Sequence, residues 1–263
     1  MEPKKSLGQH WLKDEATLEA ICEAANLKKN DIVLEVGPGL GDLTRQLVKQ
    51  AGEVIAVELD EKLAKILAAE VKADNLEITQ ANILEYDLTQ LPADYKVVAN
   101  IPYYLTSHLL RTLSESTNPP ISITLLVQRE VAERVAAGPG QMSLLAVSVQ
   151  FYYLPKLGPI VAAELFQPPP SVDSRVLILK RRPKPLFGDL DSKRFFRLVK
   201  AGFAGRRKKL RGSIAAGLRI TKDQADQLLA AAGLNPDQRA QELSLQDWHN
   251  LYKSSESINM ESL

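Results

Sequence analysis

Cysteine is nearly absent from this chain of 263 residues, since Cys22 is the only one. A single cysteine excludes an internal disulfide and a cysteine-based zinc cluster, and its place in an apolar helical pattern predicts a core position. The three histidines have no carboxylate or cysteine at metal-ligand spacing, so no metal site is predicted. No apolar run is long enough to span a bilayer, which argues against a membrane protein.

The N-terminal residues lack the apolar stretch of a secretory signal and are too few for an amphipathic transit peptide, so we expect cytoplasmic residence. Acidic residues are absent from one region of the chain. Residues 192–220 contain ten Lys or Arg and no Asp or Glu, although the net charge of the chain is only +1. Such a block favours a polyanionic partner, RNA or DNA, over a merely solvated helix face, which usually mixes both signs.

The segment Asp31–Gly41 reads D-I-V-L-E-V-G-P-G-L-G. A short apolar run that ends in three glycines and continues into helical spacing predicts a buried strand, a tight loop and a helix, the first half of a βαβ unit. Dinucleotide sites favour G-x-G-x-x-G, whereas this loop is G-x-G-x-G and Pro38 removes an amide donor. A nucleoside ligand without phosphate, S-adenosylmethionine, is therefore favoured over a dinucleotide.

A second predicted strand, Val54 to Val57, ends at Glu58. An acid at this place accepts hydrogen bonds from the ribose hydroxyls in related folds. The structural alternative is a plain turn beside a solvated acid.

Strand and helix patterns alternate along the first part of the chain, which predicts an α/β fold with a Rossmann-like sheet. Ser174 to Leu179 is predicted as a strand in an antiparallel hairpin at the sheet edge, while Met142 to Tyr153 is ambiguous between helix and strand. Prolines and a glycine near residue 185 mark a boundary, and only helical patterns follow. The expected domains are residues 1–184, a small all-helical domain at 185–253 and a polar tail at 254–263.

The fourth predicted strand runs into Asn100, Ile101, Pro102 and Tyr103. The lone pair of an exocyclic nucleobase amine is delocalised into the ring, so two acceptors must hold its hydrogens while the lone pair faces a methyl donor. The Asn100 side-chain oxygen and the Ile101 carbonyl can be those acceptors because Pro102 fixes the turn, and Tyr103 offers a ring for stacking. An ordinary turn with a capping Asn and buried tyrosines is the alternative.

With these residues the chain resembles the KsgA-type small-subunit ribosomal RNA adenine N6,N6-dimethyltransferases over nearly its whole length. The motifs that carry the resemblance are K-K-S-L-G-Q-H-W-L (4–12), E-V-G-P-G-L-G (35–41), V-E-L-D (57–60), N-I-P-Y-Y (100–104), F-Q-P-P-P-S-V-D-S (166–174) and F-A-G-R-R-K-K-L-R (203–211).

The resemblance implies roles for individual residues. The cofactor contacts that it implies are His10, Leu12, Gly37, Glu58, Asn82 and Asn100. Asn82 stands where the family has an acid, so retained but weakened binding is expected. Phe166 is implied as the second aromatic that holds the target base with Tyr103, although core packing is the plainer interpretation. The basic residues expected to bind RNA phosphates are Arg206, Arg207, Lys208, Lys209 and Arg211.

The expected activity is dimethylation: two methyl groups are transferred from S-adenosylmethionine to N6 of each of two adjacent adenines in a loop near the 3′ end of 16S rRNA, as part of ribosome biogenesis. The partner would be 16S rRNA within the small (30S) subunit, bound by a monomer. Two alternatives stay open: an RNA-binding assembly or transcription factor without catalysis, and a 23S rRNA methyltransferase of the macrolide-resistance type. A nicotinamide-dependent oxidoreductase is disfavoured by the loop spacing.

Overall fold

A computed structural model of the chain describes residues 10–184, 186–188, 190–205 and 207–257. These residues form two compact units, each described by itself below. The first takes its residues from Met1–Glu133 and Tyr153–Arg181, and the second from Arg134–Tyr152 and Arg182–Leu263. The described helices include none long and apolar enough to cross a bilayer.

The first unit is an α/β unit. Its strands are β1 (Trp11–Leu12), β2 (Ile32–Val36), β3 (Glu53–Glu58), β4 (Leu76–Gln80), β5 (Lys96–Asn100), β6 (Ser122–Gln128), β7 (Tyr153–Val161), β8 (Phe166–Gln167) and β9 (Ser174–Arg181). Its helices are α1 (Glu15–Ala25), α2 (Asp42–Gln50), α3 (Glu61–Glu70) and α4 (Thr106–Glu115), and α5 (Arg129–Val135) follows β6.

Seven of these strands form one sheet in the order β4-β3-β2-β5-β6-β9-β7. The strands β4, β3, β2, β5 and β6 run parallel, and β9 and β7 add an antiparallel edge. The central strands are rich in Val, Ile and Leu because both faces of a parallel sheet are covered. This confirms the Rossmann-like sheet. Because β2 to β5 run parallel, their carboxyl ends all lie on the same side of the sheet, which is where ligands of such folds bind.

The ambiguous segment Met142 to Tyr153 is mostly helical: α6 spans Leu144–Tyr152 and is followed directly by β7. The strand predicted at Ser174 to Leu179 is confirmed as part of β9, which pairs antiparallel with β7. A run of apolar residues with neither a period of two nor one of 3.6 cannot separate the two structures.

The second unit contains helices, turns and loops, and no strand, in its described residues. Besides α6 it contains α7 (Ser192–Phe203), α8 (Leu210–Leu218), α9 (Lys222–Ala231) and α10 (Leu245–Ser257). Its buried side chains include Phe151 of α6, Phe195 of α7 and Trp248 of α10. A methyl group at Gly202 would overlap the ring of Trp248, so this glycine allows α7 and α10 to pack closely.

The predicted domain boundaries differ from the structure at three places, of which the smallest is that the second unit resumes at Arg182 and not at residue 185. The segment Arg134–Tyr152 belongs to the helical unit because Met142, Val147 and Phe151 are buried in its core. The expected tail begins at residue 254, yet α10 continues to Ser257. Residues 258–263 lie outside the described residues.

Candidate active site

A cavity of about 270 Å³ lies at the carboxyl ends of β2, β3, β4 and β5. Its volume is near the lower end of small-molecule sites, which begin at roughly 300 Å³. Every residue predicted to bind the cofactor or the target base lines it: His10, Leu12, Gly37, Glu58, Asn82, Asn100, Ile101, Pro102, Tyr103 and Phe166. The cavity brings these ten residues together, and their roles in binding and catalysis stay predictions.

The glycine loop has a backbone that only glycines adopt readily. Gly37, Gly39 and Gly41 have φ values of 65°, 59° and 82°. A side chain at Gly37 would meet no atom within 4 Å, and one at Gly39 would lie 3.6 Å from Nε1 of the Trp11 indole. The loop thus presents bare backbone to the cavity at Gly37, while Trp11 covers it at Gly39.

Glu58 is held at the end of β3 by two backbone donors. The Gly39 N–H donates to Oε2 at 3.1 Å and the Asp60 N–H donates to Oε1 at 2.9 Å. Burial raises the pKa of Glu58, and these two hydrogen bonds partly offset that rise. Each carboxylate oxygen can accept more than one hydrogen bond, so both can still accept from a pair of hydroxyls.

Asn82 follows β4 and forms a tight local turn. Its Oδ1 accepts from the Leu84 N–H at 3.1 Å, and its carbonyl accepts from the Glu85 N–H at 2.9 Å. The amide oxygen keeps a second lone pair for a ligand amine, although it lacks the charge that an Asp would supply.

Asn100 is the last residue of β5, and the turn after it is well defined. The Leu105 N–H donates to the Pro102 carbonyl at 3.0 Å within a single 3₁₀ turn, Tyr103–Leu105. Ile101 has a buried side chain, which anchors the turn in the core. Among the described residues, no hydrogen-bond partner is found for the Asn100 side chain, which leaves its amide available to a ligand in the cavity.

Two contacts fix the ring of Tyr103. Its hydroxyl lies 2.8 Å from Oγ of Ser174, and its ring stacks on the His10 imidazole with centroids 5.8 Å apart. His10 is held in turn by a 2.8 Å hydrogen bond between Nδ1 and the Pro168 carbonyl. The ring that stacks on Tyr103 in the described chain is thus that of His10.

Phe166 lies in β8, which pairs antiparallel with β1 so that Leu12 faces Phe166. Its side chain is buried in the same cluster as Leu12 and Val176, and it also lines the cavity. Phe166 therefore packs in the hydrophobic core and also contributes to the wall of the cavity. The two-residue strands gave no sequence signal, because a pattern needs more residues than this to appear.

Glu35 is a member of the site for which the sequence predicted no role. It is the last residue but one of β2, lines the cavity and is almost fully buried. Burial raises its pKa to about 8, and no described residue hydrogen-bonds to its Oε2. The available signal was an acid inside an otherwise apolar strand.

The predicted RNA-binding residues differ in their surroundings within the helical unit. Arg207 and Lys208 are exposed. Lys209 pairs with Asp237 at 2.9 Å, and Arg211 pairs with Asp226 at 3.1 Å. Arg206 lies outside the described residues, as do residues 4–9 of the N-terminal motif. Two of the five predicted cations are thus already paired with acids from later in the chain.

Two solved structures are similar to this chain over more than nine-tenths of its length. The 23S rRNA methyltransferase ErmE has a TM-score of 0.73 at 28% identity, covering 93% of this chain and 98% of its own. A dimethyladenosine transferase from Plasmodium falciparum has a TM-score of 0.78 at 26% identity, with coverage of 94% and 98%. The fold and the cavity therefore define a Rossmann-like methyltransferase.

The particular family follows from the sequence comparisons. The family described as ribosomal RNA adenine dimethylase matches residues 1–257. Ribosomal RNA small subunit methyltransferase A of Dehalococcoides mccartyi (strain CBDB1) is 42% identical, covering 95% of this chain and 88% of its own. The protein of that name from Streptococcus equi subsp. zooepidemicus (strain MGCS10565) is 38% identical, with coverage of 98% and 93%. The chain belongs to the ribosomal RNA adenine dimethylase family, which confirms the resemblance inferred from its motifs.

Proposed function

We propose that this enzyme transfers two methyl groups from S-adenosylmethionine to N6 of each of two adjacent, looped adenines near the 3′ end of 16S rRNA, in small ribosomal subunits in the cytoplasm. The observation that carries the proposal is the shared cavity. This cavity joins the glycine loop, Glu58 and the Asn100 turn at the carboxyl ends of the parallel strands. A single chain supplies these residues, so we propose that a monomer acts.

The residues present suit S-adenosylmethionine, which supplies an electrophilic methyl group on a sulfonium. The open backbone at Gly37 gives room for the amino-acid part of such a ligand, since no atom lies where a side chain would project. Both oxygens of Glu58 can accept from ribose hydroxyls, and Asn82 can accept from an adenine amine. His10 and Leu12 would cover the ligand from the N-terminal segment.

The target amine would be held by the turn after β5. The Asn100 side-chain oxygen and the Ile101 carbonyl would accept the two N6 hydrogens, which directs the lone pair toward the methyl group. Positive charge that develops on N6 is stabilised by these oxygens, and the proton leaves to water after transfer. Alignment of well-positioned reactants lowers such a barrier by several kcal/mol, with roughly 7 to 11 kcal/mol as the upper range.

The target base would have to leave its stack to reach this turn. Tyr103 offers a ring that is held in place, and Phe166 lines the same cavity. Unstacking costs a few kcal/mol and less in a looped RNA, so single-stranded adenines are the favoured targets. Arg207 and Lys208, with Arg206 beside them in sequence, would bind the phosphates.

The deciding experiment is incubation of the protein with undermethylated small subunits and methyl-labelled S-adenosylmethionine, followed by mapping of the label. Label on N6 of two adjacent looped adenines of 16S rRNA is the expected result. Binding of the cofactor without transfer would instead support the assembly-factor alternative.

A parallel incubation with large subunits tests the second activity in this fold, because ErmE is a 23S rRNA methyltransferase. Label on 23S rRNA, with none on 16S rRNA, would contradict the proposal. Curated relatives at 42% identity are named for the small subunit, which is why the small subunit is expected.

A further inference from the structure

Tyr104 is the one exposed aromatic side chain among the large apolar residues that the structure describes, with 58% of its surface accessible. It lines the rim of the cavity directly after Tyr103. No hydrogen bond or ring contact to it is found within the described residues. An aromatic ring of this size normally packs against other apolar groups, so its exposure at the site needs a reason.

The backbone beneath Tyr104 is ordered. Tyr104 is the middle residue of the 3₁₀ turn Tyr103–Leu105, which leads directly into α4. Successive side chains of a 3₁₀ helix point about 120° apart. Tyr103 directs its hydroxyl to the fully buried Ser174, whereas Tyr104 faces solvent, so the two rings can hold two different partners.

The adenine of the proposed cofactor is an unsuitable partner for Tyr104. Of the residues proposed to bind the adenosine part, Glu58 is the last residue of β3 and Asn82 follows β4. Tyr104 follows β5, which is separated from β3 by β2. Strands lie about 4.8 Å apart, so the start of the Tyr104 turn is roughly 10 Å from the Glu58 strand end.

We propose that Tyr104 is a stacking subsite for an unpaired RNA base that adjoins the target adenine. The inference rests on the proposed function, which brings single-stranded RNA to the turn after β5. With the target base on Tyr103, the next base along the strand stands within reach of the neighbouring residue. A tyrosine ring suits this task because it offers a flat, rigid face to any base and loses little conformational freedom.

The test compares Tyr104→Ala and Tyr104→Phe with wild type, and uses Leu154→Ala as a control. Leu154 is 46% exposed and does not line the cavity. The probes are S-adenosylmethionine in calorimetry, undermethylated small subunits in steady-state kinetics, and a single-stranded oligoribonucleotide with 2-aminopurine next to an adenine in fluorescence.

Loss of one base stack weakens RNA binding by between about 5-fold and about 150-fold. Tyr104→Ala should therefore raise KM for the subunits and Kd for the oligonucleotide by that factor, and should abolish the quenching of 2-aminopurine. Tyr104→Phe keeps the ring, so it should behave like wild type, as should Leu154→Ala. Affinity for S-adenosylmethionine should be equal in all four proteins.

Two results would overturn the subsite: RNA affinity and quenching in Tyr104→Ala equal to wild type, or loss of affinity for S-adenosylmethionine in that variant. Failure of the proposed function gives a different pattern. The wild type would then transfer no methyl group to 16S rRNA, while quenching of the oligonucleotide would still report whether Tyr104 stacks on a base.

Discussion

The hydroxyl of Tyr103 and the Oγ atom of Ser174 lie 2.8 Å apart, and Ser174 is fully buried at the start of β9. This contact ties the turn after β5 to a strand two places along the sheet. It restricts the Tyr103 ring, which is proposed to support the target base. Ser174 is therefore a positioning residue for Tyr103.

Ser174→Ala should reduce methyl transfer by about tenfold. The substitution leaves the Tyr103 hydroxyl without its partner, which costs about 1–3 kcal/mol, and it frees the ring to move. The check is kcat on small subunits for Ser174→Ala, Tyr103→Phe and the double variant, with the exposed Ser171→Ala as control. A double variant whose loss equals the product of the single losses would contradict coupling between the pair.

Asn100→Ala should lower methyl transfer by about 10²-fold or more, because it removes an acceptor for the N6 hydrogens and for the charge that develops there. Affinity for RNA should stay close to that of wild type. Single-turnover transfer and a separate RNA-binding titration check this, with the exposed Asn30→Ala as control. Reduced RNA affinity at unchanged transfer would show that Asn100 has another role.

Asn82→Asp should strengthen the binding of S-adenosylmethionine by about fivefold. A carboxylate accepts a stronger hydrogen bond than an amide, by about 1 kcal/mol, and Asp can also accept the Leu84 N–H that Asn82 holds now. Calorimetry on wild type, Asn82→Asp and the exposed Asn30→Asp measures the effect. Weaker binding in Asn82→Asp would place the adenine amine elsewhere.

Glu35 should make the fold less stable as the pH rises. Its pKa is raised by burial from the ordinary value of 4.5 to about 8. Between these values the folded state holds a proton that the unfolded state has released, so the free energy of unfolding falls with pH by at most about 1.4 kcal/mol per unit. The contribution is complete below pH 4.5 and is lost by about pH 8.

Glu35→Gln should remove this slope, because glutamine has no proton to lose. Urea unfolding at several pH values from 5 to 8.5 compares the variant with wild type and with Glu53→Gln, on the same sheet but only half-buried. Equal slopes for Glu35→Gln and wild type would show that Glu35 titrates normally in the folded protein.

Arg207 and Lys208 should contribute more to RNA binding than Lys209. Replacing both by Ala should lower the slope of log affinity against log salt by about 1.4 to 1.8, since each phosphate contact contributes about 0.7 to 0.9. Lys209→Ala should change this slope by less than the value of one phosphate contact, because the Lys209 ammonium is already paired with Asp237. The exposed Lys62→Ala is the control, and equal effects of Lys208→Ala and Lys209→Ala would contradict the distinction.

The sheet could be predicted because its strands are apolar, β-branched runs that end at loop signals. The polar residues just after those runs share one edge as a consequence of parallel topology, so Gly37, Glu58 and Asn100 could be placed together without coordinates. Length was also sufficient here: the central strands have five or more residues. That is enough for a pattern to be visible.

Contacts that depend on distant partners could not be predicted. Lys209 and Arg211 meet acids that lie 28 and 15 residues further along the chain, and nothing in the basic motif indicates this. The His10 stack on Tyr103 likewise joins segments that only the fold brings together. Local patterns describe which face of an element is apolar, but they do not describe which side chain lies opposite it.

The helical unit takes α6 from the middle of the chain and the rest from its end, so the polypeptide passes between the units three times. A shortened protein that stops at residue 184 would keep α6 but lose α7, leaving Phe151 and Val147 bare to water. We expect such a fragment to aggregate. Isolating the sheet alone would require excision of 134–152 as well, with a linker joining Glu133 to Tyr153.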